Sequence, residues 1–276
     1  MSLIGTYFWT AVLMILLGVE TGAYAQRGEQ TDASPRQFSS PTQGFPGFFD
    51  TNFADQGSLV VEWPPIILPI IPVPSVEVDY GVTDTLTVGT NAIVTVVPWL
   101  LGARGFSFKA RTLLYGTETL QSAATAYAGY IGSSNLAVSW QLFTSNNAWK
   151  MAPRHILSVQ GMVLHLGLEA GSKSSINYTN IQGSTVTVGG GYQFLLSSSI
   201  GLSTYVMIPA VTSFEADTVA SNISGNLDAR SGALLWGIIR SSLDLRTESC
   251  VYSIGGSYVY GLTKNISPWA SAAKRW

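Results

Sequence analysis

The stretch TVTVGGGYQFLLSSSIGLSTYVMIPA, Thr185 to Ala210, decides the fold. Its first arm puts Val186, Val188, Tyr192, Phe194 and Leu196 on one parity and Thr185, Thr187, Gly189, Gly191 and Gln193 on the other. That two-residue period belongs to a strand with one bulky and one small, polar face. After Ser197, Ser198 and Ser199 the pattern resumes, with Ile200, Leu202, Val206, Ile208 and Ala210 opposed to Gly201, Ser203 and Tyr205. The two arms predict an antiparallel hairpin. Hydroxyls and glycines suit a wet interior, which leaves the bulky face to meet lipid. A soluble sandwich shows the same alternation, so the rest of the chain arbitrates.

Of the 276 residues, 46% are hydrophobic and only 11% charged, with a mean hydropathy of +0.27. This is too little charge for an ordinary soluble surface. Yet beyond the N-terminus no apolar run reaches the roughly 18 residues of a transmembrane helix. Hydrophobicity spread over alternate positions fits a membrane barrel instead. A formal charge of -2 argues against nucleic acid as a partner. Cys250 is the single cysteine, which excludes an internal disulfide and a Cys-based metal site. No metal and no cofactor is expected.

Residues 1–25 read as an export signal: Tyr7 to Val19 is a short apolar core, and Ala23-Tyr24-Ala25 offers a cleavage site, although no Lys or Arg precedes the core. Residues 26–56 form a polar leader or a plug. Residues 57–276 are the barrel, including a Pro-rich connector at 64–74 that cannot pair as a central strand. Regular strands are expected over Val76–Val82, Thr85–Val96, Phe106–Tyr115, Ala123–Ile131, Leu136–Phe143 and Ile156–Glu169. The opening hairpin, Ser231–Ser241 and Cys250–Leu262 bring the number to ten. Short turns at Thr83-Asp84, Gly116–Leu120, Ser197–Ser199 and Asp244–Glu248 fall on one side, and long polar connectors at Gly171–Ser184 and Ser213–Arg230 on the other. With both termini on the short-turn side, parity requires a strand at Ser58–Trp63 and another at Ile266–Trp276. The prediction is an all-β, antiparallel up-and-down transmembrane barrel of about 12 strands, with 10 as the alternative.

The chain resembles Gram-negative outer-membrane β-barrel proteins, porin-like in the broad sense. The likeness covers most of the residues after 56 through repeated hairpins, and it sharpens at Ser253-x-Gly255-x-x-Tyr258-x-Tyr260, which is similar to the assembly signal of barrel last strands. Sixteen residues follow Tyr260, and the terminal Trp276 is a competing match. The resemblance implies a bacterial outer-membrane location, with membrane lipids and the barrel-assembly machinery as partners.

If even positions face lipid near Thr112, then Lys109 and Arg111 line the lumen, as do Glu77 and Asp79. Opposed charges there either focus a field across a channel or form a salt-bridge network that fills a narrow barrel. His165 and Glu169 are assigned to the lumen as well, with Met162, Leu164, Leu166 and Leu168 on the lipid side. No catalytic residue is assigned and no enzyme is expected: there is no Gly-x-Ser-x-Gly elbow, no H-E-x-x-H helix and no phosphate-binding loop. The leading functional expectation is a passive pore or uptake channel for a small solute. A non-conducting structural or adhesive barrel that binds a partner through its outer loops is the alternative, and an outer-membrane lipid hydrolase is the third.

Overall fold

The computed structural model describes residues 56–63, 76–117, 119–171, 178–197, 199–220, 223–232, 237–247, 250–261 and 265–275. The expected signal, the leader up to residue 55, the Pro-rich connector and Trp276 lie outside them. The described residues form β1 (Leu59–Trp63), β2 (Glu77–Thr83), β3 (Leu86–Asn91), α1 (Ala92–Leu100), β4 (Arg104–Gly116), β5 (Leu120–Gly132) and β6 (Leu136–Ala152). There follow β7 (His155–Ala170), β8 (Tyr178–Leu195), β9 (Ile200–Ala220), β10 (Ile223–Gly232), β11 (Gly237–Arg246), β12 (Cys250–Tyr260) and β13 (Asn265–Arg275).

Every pairing is antiparallel. Strand β9 carries β10 along one half of its length and β11 along the other, so those two make a single stave. Strand β13 returns to β1 through Val60–Trp63 against Ala272–Arg275. The sheet therefore closes as a barrel of 12 staves, the higher of the two expected counts. Tight turns after β2, β4, β6, β8 and β11 share one rim. Three of them repeat a device: the hydroxyls of Thr83, Thr117 and Thr247 accept the N–H of Leu86, Leu120 and Cys250, each at 3.0 Å.

Side-chain parity separates the two faces. Phe106, Phe108, Val159, Val186, Val188 and Leu202 are exposed on the outside. One inward row runs through register partners from Val60 to Asp79, Gly89, Lys109, Tyr127, Leu142, Leu164, Thr185 and Thr212. In the opening hairpin the orientation is the expected one: Thr185, Thr187 and Gln193 are buried within, and Val186, Val188 and Tyr192 are exposed without.

Two expectations are corrected. Thr85–Val96 does not continue as a strand, because β3 ends at Asn91 and α1 begins. The Asn91 side chain accepts the Val94 N–H at 3.1 Å as an N-cap. Gly105 on β4 lets the Val94 carbonyl and the Pro98 ring press against its backbone, where a Cβ would collide. Gly102, at φ +73, then turns the chain back to β4. The second correction concerns the long polar connectors: the second half of Gly171–Ser184, from Tyr178, lies in β8, and nearly all of Ser213–Arg230 lies in β9 and β10, which rise as paired staves. The outward residues of β8 and β9 there, Gln182, Glu215 and Asp217, are polar because they stand beyond the apolar belt, and that polarity reads as loop.

The glycines of β8 have a packing role. Tyr205 on β9 lies across Gly189 and Gly191 and donates its hydroxyl to Gln160 Oε1 on β7. A Cβ at Gly191 would come within 2.9 Å of the Tyr205 ring and 2.5 Å of Ser158 Oγ. Gly191→Val is expected to lift Tyr205 off β8 and lower stability by about 1–3 kcal/mol. Urea unfolding in lipid vesicles, followed by tryptophan fluorescence, measures this, and Tyr205→Phe should cost less because the ring stays in place.

Candidate functional site

The charged residues of the wall come together inside it. Glu77 and Asp79 alternate inward on β2, and Lys109 and Arg111 do so on β4, with only Gly89 and Thr87 of β3 between them. Gly89 has no side chain to separate the two, so the Asp79 carboxylate lies over its backbone and meets the ammonium of Lys109. Lys109 Nζ is 2.6 Å from Asp79 Oδ2 and also pairs with Glu77 Oε2. Arg111 Nε donates to Thr125 Oγ1 at 3.4 Å. Glu77, Asp79, Lys109 and Arg111 are each no more than 1% exposed.

Glu62 on β1 joins this group and was not foreseen, because its short strand carries little pattern. Oxygens of Glu62, Glu77 and Asp79 lie within 4.8 Å of one another, a spacing that suits a cation. Lys109 already supplies positive charge at that point, and a buried carboxylate pair is stable only with such a partner. A second polar cluster, also unforeseen, sits on the same inner face. Asp244 on β11 accepts from Ser203 Oγ at 2.5 Å, Ser242 Oγ at 3.0 Å and Gln193 Nε2 at 3.2 Å.

His165 and Glu169 are placed on the other side of the wall, which corrects their assignment to the lumen. On β7 it is Met162 and Leu164 that are buried inside, packed with Tyr127, Leu142, Tyr205 and Met207, while Leu166 adjoins them. The rule that bulk faces lipid fails there because the barrel holds an apolar cluster of its own. His165 instead has Ser184 for a neighbour, with Nδ1 and Oγ 2.9 Å apart.

The residues of the assembly-signal pattern lie on β12, with β13 as a further stave after it. Ser253 is buried on the inner face, and Tyr258 is exposed outside. Gly255 allows β11 to approach, since a Cβ there would meet the Ser242 Cα at 2.8 Å.

A closed cylinder with an apolar outer belt and a polar charge cluster within is built for a bilayer. The chain folds as a closed antiparallel β-barrel of 12 staves. No family model and no curated protein matches it. Solved structures that match include OmpT of Vibrio cholerae, at 10% identity and a TM-score of 0.38, over 74% of this chain and 65% of that one. The CymD monoaromatic hydrocarbon channel matches at 9% and 0.38, over 86% and 97%. The siderophore receptor PirA of Acinetobacter baumannii matches at 11% and 0.40, over 81% and 42%. The chain thus spans less than two thirds of OmpT and less than half of PirA. Likeness at this level carries no argument about function.

Removing the positive partner tests the charge cluster. Lys109→Met leaves Glu77 and Asp79 buried without their ion pair and should cost about 3–5 kcal/mol. Adding Glu77→Gln and Asp79→Asn should restore most of that loss, as read from the heat-modifiable mobility of the folded barrel on gels.

Proposed function

We propose that this outer-membrane barrel is closed at its waist and works through the rim opposite the tight turns, as a structural or adhesive protein that binds a partner. The observation that carries this is the charge cluster. Ions that line a conducting passage stay solvated, whereas Lys109, Glu77 and Asp79 are removed from solvent, with the one ammonium ion-paired to both carboxylates.

The tall staves supply the working surface. Glu169, Gln182, Glu215 and Asp217 are exposed on the outer sides of β7, β8 and β9, and Glu169, Asn180 and Asp217 share one register row. Being strand-paired, this acidic face is already ordered, which reduces the entropy lost on binding. Its charge favours a partner with basic groups. Lipids and the machinery that inserts barrels complete the partners on this reading.

A solute pore is the second reading, favoured by the polar inner wall of β11 to β13, where Ser242, Asp244, Ser253, Ser257 and Ser271 are buried side by side. Planar-bilayer recording separates the two. The full chain is expected to give no discrete current steps at moderate voltage. Reproducible steps of one size, altered in Lys109→Met, would establish the pore instead.

A further inference from the structure

On the lipid-facing side of β6 to β9 the apolar belt ends along a single line of the ladder. Phe143, Val163, Val186 and Val211 are successive register partners, and the next outward row toward the tall rim is Gln141, His165, Ser184 and Ser213. Three valines, each at least 40% exposed, therefore give way in one step to an amide, an imidazole and two hydroxyls. Lipid ester groups occupy this boundary, between the hydrocarbon core and the polar headgroup region.

In that row His165 Nδ1 and Ser184 Oγ are 2.9 Å apart, and both side chains are partly exposed. Gln141 stands directly opposite His165 on β6, and its Oε1 is buried with no hydrogen-bond partner among the described residues. A hydroxyl bonded to an imidazole is the pairing that turns serine into a nucleophile, and an amide on the neighbouring strand is available to orient the ring.

We propose that Ser184 and His165 form an acyl-transfer site for carboxylic esters of membrane lipids, entered from the bilayer. Ser184 Oγ bonds to the ester carbonyl carbon while His165 Nδ1 takes its proton. The C–O bond to the lipid alcohol then breaks, and the alcohol leaves with that proton. Water attacks the acyl-serine by the same route, its proton passing through His165 back to Ser184, and the fatty acid is released. Val163 and Val186 support the acyl chain beside the reacting ester. Gln141 is a positioning residue: its unpartnered Oε1, on the strand beside His165, would need only a side-chain rotation onto the Nε2 proton to hold the tautomer that leaves the Nδ1 lone pair toward Ser184. The site is on the outer surface, so this inference goes beyond the closed-barrel reading and does not depend on it.

The test uses the full chain in mixed micelles of detergent and phosphatidylcholine, with alkyl fluorophosphonates as probes and peptide mass spectrometry as the readout. A long-chain probe is expected to label Ser184, faster than a methyl analogue, at a rate that rises with pH as imidazole loses its proton. His165→Asn should slow labelling by about a hundredfold or more, and Gln141→Leu should shift the midpoint of the pH profile with the fold intact. Absence of label at Ser184 in the folded wild-type barrel overturns the proposal, and so does equal labelling in His165→Asn. Equal rates for the long and short probes overturn entry from the lipid side.

Discussion

A peptide group in hydrocarbon has no hydrogen-bond partner except another peptide group, and the architecture follows from that constraint. An open sheet would leave two edges of unpaired amides in lipid, so β13 must find β1 and β8 must find β9. Closure fixes which face of each stave meets the bilayer. Once Phe106, Phe108 and Val186 are outside, Lys109, Arg111 and Thr185 are inside by parity alone. The buried charge cluster is then an outcome of register, because β2 and β4 bring opposite charges into the same inner belt with a glycine between them.

Polarity along the tall staves changes sense with height. Within the belt β7, β8 and β9 show valines outside. Beyond it the outer face becomes Glu169, Gln182, Glu215 and Asp217, while Leu166 adjoins the apolar cluster inside. The lower part of each stave is organised by lipid and the upper part by water, which explains how one strand obeys two opposite patterning rules. The row Gln141, His165, Ser184 and Ser213 lies where one rule replaces the other.

How much of this was legible in the sequence can be judged from particular residues. The hairpin at 185–210 was legible, because glycines and hydroxyls against valines leave one consistent orientation. So was the inward direction of Glu77, Asp79, Lys109 and Arg111, since each alternates with apolar or small neighbours. His165 and Glu169 were assigned to the wrong face because Met162, Leu164 and Leu166 are as bulky as any lipid-facing row, and local alternation cannot say which greasy side is outermost. Ser184 was hidden for a different reason: it precedes the apolar alternation of β8, and its pairing to His165 depends on a register set by the whole β7–β8 ladder. The helix α1 was missed because β-branched residues in AIVTVVPWL favour extension, whereas the Asn91 cap and the contact over Gly105 depend on tertiary packing.

The narrow seam between β1 and β13 has a consequence for how the molecule forms. Among the described residues only Val60–Trp63 and Ala272–Arg275 join there, and almost the entire described chain separates them. Contacts so distant in sequence close late, after the loop-closure entropy of everything between them has been met. The cylinder can therefore be completed only after its last stave has been delivered. Until then β1 and β13 each present an uncovered edge that a neighbouring protein in the membrane can occupy.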